Sequence, residues 1–224
     1  MSQSDTDIEA QAGYDALLDL TTNPADRLWR YPASHAIVRV AVRTPLTPNH
    51  VTLFHTALGV AAGYVITLGT PRAWVLAGVM FEVRAVLDCV DGGLARAKKL
   101  SSPLGRALDQ LGDTVGFLSL LAGAAVCLAR IYGTPSAVAV ALITALLGAN
   151  GTAAWDFFKR RFGSLLKEGH DASEAEYLAL CRDFDERGGA LLWFSRLTAT
   201  WQWLTLSPSA LARLRERAAR KDWP

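Results

Sequence analysis

Long apolar blocks separated by short polar connections dominate the first 160 residues of the chain. They run over residues 51–69, 73–90, 114–129 and 135–158. Each block is close to the length of about 20 residues that an α-helix needs to cross the hydrocarbon core of a bilayer. The pattern therefore predicts an all-α, polytopic membrane helix bundle, with four spans in this part of the chain.

The rest of the chain has a different pattern, and the whole divides into five regions. These are a polar tail at 1–23, an interfacial amphipathic helix at 24–43, a transmembrane core at 44–160, a cytoplasmic polar helical segment at 161–188, and an apolar, Trp-rich helix with a basic tail at 189–224. Pro32 is expected to kink the amphipathic helix. The apolar stretch at 189–206 either spans the membrane or lies at its interface, and a truncated chain is a further possibility.

Basic residues mark one side of the predicted membrane. They cluster before the first block, between the second and third blocks and after the fourth, at Arg27, Arg30, Arg39, Arg43, Arg96, Lys98, Lys99, Arg106, Lys159, Arg160 and Arg161. The alternate connections hold only Arg72 and Arg130. By the positive-inside rule the clusters face the cytoplasm. We expect a multi-pass protein of the bacterial cytoplasmic membrane, with membrane lipids and no nucleic acid among its partners.

One run, DCVDGGLARAKKLSSPLGRALDQLGD at 88–113, carries the candidate chemistry. Asp88 and Asp91 are three residues apart, and Asp109 and Asp113 are four apart, so on helices each pair projects from one face. Two facing pairs form a cup of four carboxylates. Hard divalent cations such as Mg²⁺ take oxygen ligands and are usually held by carboxylates together with substrate phosphates. The run therefore indicates phosphate chemistry at a metal site.

Small residues and one cation adjoin these aspartates. Gly92 and Gly93 follow the second aspartate, where we expect the helix to open and a ligand to approach the backbone. Ala95 keeps the same wall small, and Gly105 leaves room one turn before the second pair. Arg96 offers a rigid cationic fork suited to a pyrophosphate. Together these residues predict a phosphate pocket beside the metal site.

Other charged residues outside the run are weaker candidates. Arg84 lies four residues before Asp88, where it either pairs with that carboxylate, the simpler interpretation, or reaches a phosphate. Lys159 and Arg160 are candidates for an acceptor phosphate, although topology and contact with anionic lipid also explain them. Glu82 should face protein or a wet cavity, because a charge in hydrocarbon is costly.

The chain contains three cysteines, and none is a candidate metal ligand. Cys89, Cys127 and Cys181 show no metal-ligand spacing, so we expect them to be unpaired thiols.

The run matches D-x2-D-G-x2-A-R-x8-G-x3-D-x3-D at every specified position and so resembles the CDP-alcohol phosphotransferase family. The resemblance extends to Thr47-Pro48-Asn49 and Thr52, and covers about residues 44 to 160. It implies an integral membrane enzyme that transfers a phospho-alcohol group from a CDP-linked donor to a hydroxyl acceptor and releases CMP. Members make phospholipids or related phosphodiesters.

The resemblance also implies residue roles. Asp88, Asp91 and Asp109 would hold a pair of divalent ions, Mg²⁺ or Mn²⁺, with Asp113 also near the metals and acting as general base. The CDP site would be lined by Asn49, Thr52, Gly92, Ala95, Arg96 and Gly105. The active site would lie at the cytoplasmic ends of the second and third spans of a homodimer. Family members usually have six spans, so the C-terminal region leaves the acceptor and the dimer contact open.

Several functions fit these residues. The first expectation is CDP-diacylglycerol as donor with a polar alcohol such as glycerol phosphate, inositol phosphate or serine as acceptor. The alternative is transfer from CDP-choline or CDP-ethanolamine to diacylglycerol. From other classes, an ion carrier would spread its charges along the spans, and a non-catalytic scaffold would be expected to have lost an aspartate. Neither feature is present.

Overall fold

The computed structural model describes residues 24–168 and 170–207, and within these ranges the chain is helical with no strand. A π-helical turn at Asp26–Arg30 leads into α1 (Tyr31–Ala41), followed by α2 (Pro48–Ile66), α3 (Pro71–Ala97), α4 (Pro103–Tyr132), α5 (Thr134–Glu168), α6 (Ser173–Arg187) and α7 (Ala190–Leu206). The predicted all-α class is confirmed. The predicted tail at 1–23 and the basic end of the chain lie outside the described residues.

The helices α2, α3 and α4 begin in the same way. Thr47, Thr70 and Ser102 are their N-caps, and each side-chain oxygen accepts a hydrogen bond from a backbone N–H in the first turn. A proline follows each cap, at the helical position where a missing N–H costs nothing. These caps fix where the three site-bearing helices start.

The described residues fall into two compact units, 24–148 and 149–207. In the first unit α2 packs on both α3 and α4, and α1 packs on α3. Its core joins α1, α2 and α3 through Ala41, Val51, Val90 and Leu94, with Val38 and Leu87 against them. This arrangement places α2 beside both helices that carry the aspartates.

In the second unit α6 packs against α7. The Tyr177 ring stacks on Trp203 with ring centroids 4.9 Å apart, and Arg196 lies over the Phe184 ring. Arg160 of α5 donates to the side chain of Gln202 on α7 at 2.8 Å. Aromatic and polar contacts therefore hold this unit together.

Glycines bring α2 and α4 into backbone contact. A Cβ on Gly63 would lie 2.3 Å from the Ser119 carbonyl oxygen, and one on Gly123 would lie 2.2 Å from the Gly63 carbonyl oxygen. No side chain fits at either position, so the close crossing requires glycine. Small residues at the interface are the usual means of close packing between membrane helices.

Two helices are long and apolar enough to cross a membrane, over Pro103–Tyr132 and Thr134–Leu165. Only 11% and 6% of their most apolar windows are buried, so they are unlike the core helices of a soluble protein. They contain two of the four predicted spans. The other two predicted spans are helical, in α2 and α3. No further helix in the described ranges meets the same length and composition criteria, and α3 carries Glu82, Arg84 and Asp88 in its apolar stretch.

Two details differ from expectation, and the kink expected at Pro32 stays a prediction. The helix does not open at Gly92 and Gly93, because α3 continues to Ala97; Gly93 instead admits Val38 of α1, whose Cγ2 is 3.1 Å from where a Cβ would lie. Pro32 lies in the first turn of α1, directly after the π-helical turn, where its missing N–H is accommodated. Finally, α5 continues past residue 160 to Glu168.

Candidate metal centre

Three helices converge on a group of potential metal ligands. His55 of α2, Asp88 and Asp91 of α3, and Asp109 of α4 each offer one ligand atom, and these atoms all lie within 4.8 Å of one another. The structure thus brings together three of the four aspartates predicted from the sequence. It adds His55, which the sequence analysis did not identify.

The Asp91 carboxylate is held from α2. Its Oδ2 atom accepts a hydrogen bond of 2.6 Å from Thr52 Oγ1 and lies 3.1 Å from His55 Nε2. All three side chains are buried, His55 completely. The ring lies close to Gly112 of α4, where a Cβ would be 3.7 Å from His55 Cε1. In this geometry Thr52, predicted to contact CDP, contacts a metal-ligand candidate.

Asp109 supplies a carboxylate oxygen that nothing in the described part of the chain satisfies. Its Oδ1 atom is buried without a hydrogen-bond partner and lies 3.8 Å from His55 Nε2. A buried carboxylate oxygen without a partner is costly, and three carboxylates this close repel one another unless a cation balances them. Oxygen-rich ligands suit Mg²⁺ or Mn²⁺, so the residues present fit a divalent cation.

Asp113 stands at the edge of this group and has a different partner. Its Oδ1 atom accepts a short hydrogen bond from Arg84 Nη2 in an ion pair between α4 and α3. The interpretation that Arg84 pairs with Asp88 is therefore wrong. The reason is steric: the Arg84 side chain passes over Gly59 and Gly116, which leave a gap toward α4.

Asp113 nevertheless lies near the other aspartates. Asp113 interacts electrostatically with both Asp88 and Asp109. Half of its side chain is exposed, whereas that of Arg84 is buried. Asp113 thus offers an accessible carboxylate beside the group rather than within it.

The residues predicted to bind CDP form two small groups. At the start of α2 and α4, a Cβ on Gly105 would lie 3.5 Å from Asn49 Oδ1, so these two positions are in contact. On α3, the Arg96 Nη1 atom lies 3.5 Å from where a Gly92 Cβ would be, and Ala95 is half-buried next to it. Gly105 and the group on α3 lie close in sequence to the aspartates, whereas Asn49 comes from α2.

The remaining predicted contacts lie in the second unit. Arg160 is exposed and lies 3.9 Å from Glu176 as well as donating to Gln202. Lys159 is half-buried.

Among the described residues all three cysteines are free thiols, as predicted. Glu82 faces protein, since it accepts hydrogen bonds from Trp29 and Arg30.

His55 could have been found from the sequence by one signal. Thr52 and His55 are three residues apart within the first apolar block, so they share a face of its helix with Gly59. An ionisable residue inside an apolar segment is by default a candidate for function. The aspartate motif lies on α3 and α4 and carries no information on this face of α2.

The fold and the site define an all-α protein with membrane-type helices and a carboxylate-rich group of potential metal ligands. A family model described as CDP-alcohol phosphatidyltransferase matches residues 45–162, about half of the chain. The chain belongs to this family, as its motif indicated.

Two curated relatives carry specific names. The chain is 34% identical over 126 residues to the bifunctional IPC transferase and DIPP synthase of Rubrobacter xylanophilus, which is 54% of this chain and 28% of the relative. It is 36% identical over 80 residues to the archaetidylinositol phosphate synthase of Pyrococcus horikoshii, which is 36% of this chain and 41% of the relative. The matches thus span less than half the length of either relative.

Proposed function

We propose that the chain is an integral membrane enzyme that transfers a phosphatidyl group from CDP-diacylglycerol to the hydroxyl of a polar alcohol, with release of CMP. The observation that carries the proposal is the convergence of His55, Asp88, Asp91 and Asp109 from three helices. Family membership supports phospho-alcohol transfer from a CDP-linked donor. The identity of donor and acceptor is the finer part of the proposal.

In this mechanism Asp88, Asp91 and Asp109 hold divalent cations, Mg²⁺ or Mn²⁺, in a pair. Cations held there would supply positive charge to the donor pyrophosphate and to the CMP leaving group. Arg96, an exposed guanidinium beside Gly92, binds a phosphate oxygen of the donor by charge-assisted hydrogen bonds. Asn49, Thr52, Ala95 and Gly105 complete the CDP pocket.

Asp113 acts as the general base. Arg84 occupies its Oδ1 atom, which orients the carboxylate and leaves Oδ2 to accept the proton of the acceptor hydroxyl. The acceptor oxygen then forms a bond to the β-phosphorus of the donor while the bond from that phosphorus to the CMP oxygen breaks. Arg84 in this role orients the base and does not contact a phosphate, whereas Lys159 and Arg160 remain candidates for acceptor or lipid contacts.

The relative from Pyrococcus horikoshii supports one acceptor class. It is named for archaetidylinositol phosphate, a product that contains a phosphorylated inositol. Inositol phosphate was among the polar alcohols expected from the sequence, and we place it first in the panel. Transfer from CDP-choline or CDP-ethanolamine to diacylglycerol is the competing assignment within the family.

We assign the chain to the bacterial cytoplasmic membrane as a homodimer, with the carboxylate group facing the cytoplasm. The distribution of Lys and Arg supports this orientation. Residues 44–160 would form the catalytic core and 24–43 an interfacial helix. The exposed apolar residues Leu28, Ile37 and Val40 on the latter suit a headgroup-level position. Residues 161–188 would then be cytoplasmic, and 189–206 would span or lie at the interface.

The test is Mg²⁺-dependent CMP release by the purified protein. CDP-diacylglycerol is offered with inositol phosphate, glycerol phosphate or serine, and CDP-choline or CDP-ethanolamine with diacylglycerol. Asp113→Asn is the inactive variant, and Asp185→Asn, an exposed aspartate of α6 paired with Arg196, is its matched control. Release with CDP-diacylglycerol and one polar alcohol supports the proposal. Release only with diacylglycerol as acceptor, or none from folded protein, contradicts it.

A further inference from the structure

We propose that His55 is a positioning residue of the metal centre, which fixes the orientation of the Asp91 carboxylate without binding the metal itself. The inference deepens the proposed function and rests on its metal site. It assigns a role to a residue of α2 that lies outside the aspartate motif.

The contacts place two donors on one oxygen atom. His55 Nε2 and Thr52 Oγ1 lie 3.1 Å and 2.6 Å from the Oδ2 atom of Asp91. No described residue donates to the other oxygen, Oδ1. Two fixed donors on Oδ2 stop the carboxylate from rotating, and they leave Oδ1 with its lone pairs available for a cation.

Thr52 alone does not secure this arrangement. Its hydroxyl has one proton and two acceptors, since Oγ1 is also 3.1 Å from the Pro48 carbonyl oxygen. An N–H at His55 Nε2 has Asp91 Oδ2 as its near acceptor, whereas Asp109 Oδ1 is farther away at 3.8 Å. The imidazole therefore supplies the donor that is committed to Asp91.

The environment of the second ring nitrogen decides between positioning and ligation. A histidine that binds a metal through one nitrogen almost always donates the N–H of its other nitrogen to an acceptor. His55 Nδ1 is buried and has no such partner in the described part of the chain. Ligation through Nε2 would leave an orphaned N–H at Nδ1, which is costly. The tautomer with hydrogen on Nε2 leaves an unpaired lone pair at Nδ1 instead of an unpaired N–H, and it makes the ring a donor to Asp91.

The imidazole also fills closed space between the helices. It is completely buried and lies against Gly112 of α4. Removing the ring would open a cavity between α2, α3 and α4. A useful variant must therefore keep an aromatic ring and lose the N–H donor, which His55→Phe does with a somewhat larger ring. His55→Gln restores an N–H donor near the Nε2 position.

The experiment measures Mn²⁺ binding to full-length protein in detergent, without donor or acceptor. We expect His55→Phe to weaken Mn²⁺ binding by roughly 10- to 100-fold, the usual effect of losing an outer hydrogen bond to a metal ligand. His55→Gln should bind close to wild type. His35→Phe, an exposed histidine of α1 that stacks on Tyr31, is the matched control and should leave affinity unchanged.

Pulsed electron paramagnetic resonance of Mn²⁺ in the wild-type protein is the second readout and needs no variant. We expect no coupling from a directly bound ¹⁴N nucleus. Such a coupling would overturn the proposal, because His55 would then be a ligand. Wild-type affinity in folded His55→Phe would overturn it as well. If His55→Phe does not fold, the resonance spectrum of the wild type and the affinity of His55→Gln still decide.

These outcomes separate this inference from the proposed function. If wild-type protein binds no Mn²⁺, the metal centre is rejected and the role of His55 fails with it. If wild-type protein binds Mn²⁺ but releases no CMP with any substrate pair, the proposed reaction fails while the role of His55 is still decided by the binding data.

Discussion

Arg84 of α3 and Asp113 of α4 form an ion pair that crosses the space left by two glycines. Arg84 is buried, whereas the Asp113 side chain is half exposed. The Arg84 Nε and Cδ atoms would lie 3.0 Å from a Cβ on Gly59, and Nε only 2.7 Å from one on Gly116. The pair therefore supplies a positive charge beside a group of carboxylates, and it depends on the absence of side chains at both glycine positions.

The first prediction concerns this charge. Arg84→Met keeps much of the side-chain volume but leaves Asp113 unpaired beside Asp88 and Asp109. We expect a loss of up to about 3 kcal/mol in the free energy of unfolding, the upper value for a hydrogen bond to a charged group, reduced because Asp113 is half exposed. Added Mg²⁺ should recover part of the loss, since it neutralises the remaining carboxylates.

The measurement is thermal unfolding in detergent with and without Mg²⁺. Arg196→Met is the control, because it removes the cation of an exposed ion pair with Asp185, a kind of pair that contributes little to stability. An Arg84→Met protein as stable as wild type in the absence of Mg²⁺ would show that the positive charge of Arg84 does not stabilise the fold.

The second prediction separates the roles of two aspartates. Asp113→Asn should retain the affinity for a CDP donor and lose turnover, because it lacks the proton acceptor but keeps the ligand group. Asp91→Ala should lose metal and donor binding together, because Asp91 belongs to that group. Donor affinity and CMP release are measured on the same preparations. Full activity in Asp113→Asn would remove it as the base.

The presence and order of the helices followed from the sequence because their signals are local. Three of the four apolar blocks lie within α3, α4 and α5, and the first lies in α2 up to Ile66. Helices begin at Thr47-Pro48, Thr70-Pro71 and Ser102-Pro103. Such features depend on neighbouring residues and on segment length. The aspartate spacing also predicted that Asp88 and Asp91 share a face.

The partners of individual side chains did not follow, since they depend on how helices cross. From the sequence, Asp88 at i+4 was the natural partner of Arg84, but the contact of α2 with α4 at Gly59 and Gly116 opens a path to Asp113. The packing of α2 on α3 likewise brings His55 to Asp91, 36 residues away in the chain. Local spacing carries no information on these contacts.

The third prediction tests the close crossing of α2 and α4. A Cβ on Gly63 would lie 2.3 Å from a backbone oxygen of Ser119, so Gly63→Ala must separate the helices. We expect a loss of roughly 1–3 kcal/mol in unfolding free energy, as in overpacked cores, and weaker Mn²⁺ binding because His55 and Asp109 move apart. Gly78→Ala on α3, with nothing within 4 Å, is the control.

Gly78→Ala should be neutral or should stabilise the protein by up to about 1 kcal/mol, because alanine favours a helix over glycine. Thermal unfolding and Mn²⁺ titration of both variants measure these effects. If Gly63→Ala were as stable as Gly78→Ala and bound Mn²⁺ equally well, the backbone contact would not hold the metal centre together.

The fourth prediction concerns the donor phosphates. Arg96→Gln removes the exposed guanidinium beside Gly92, and we expect the binding free energy of a CDP-linked donor to weaken by about 1.5–3 kcal/mol, the value of a charge-assisted hydrogen bond. Arg72→Gln, at the other end of the same helix, is the matched control. Isothermal titration with CDP in the presence of Mg²⁺ measures both, and equal affinities would reject a role for Arg96.

The last prediction concerns the attachment of α1 to the bundle. Glu82 of α3 accepts two hydrogen bonds of 2.7 Å from Arg30 and one of 2.8 Å from Trp29, and the contact with Glu82 raises the pKa of the Arg30 guanidinium. Two parallel bonds between a guanidinium and a carboxylate give geometric specificity as well as energy. This pair therefore fixes the start of the helix that we assign to the membrane interface.

Glu82→Gln keeps the size of the side chain but cannot accept both guanidinium bonds. We expect faster hydrogen exchange in the π-helical turn and the first part of α1, because their local unfolding becomes easier. Exchange near Ala41 should change little, since its contacts with Val90 and Leu94 remain. Hydrogen-exchange mass spectrometry measures both segments. An unchanged rate at residues 26–34 would show that apolar packing alone holds the helix in place.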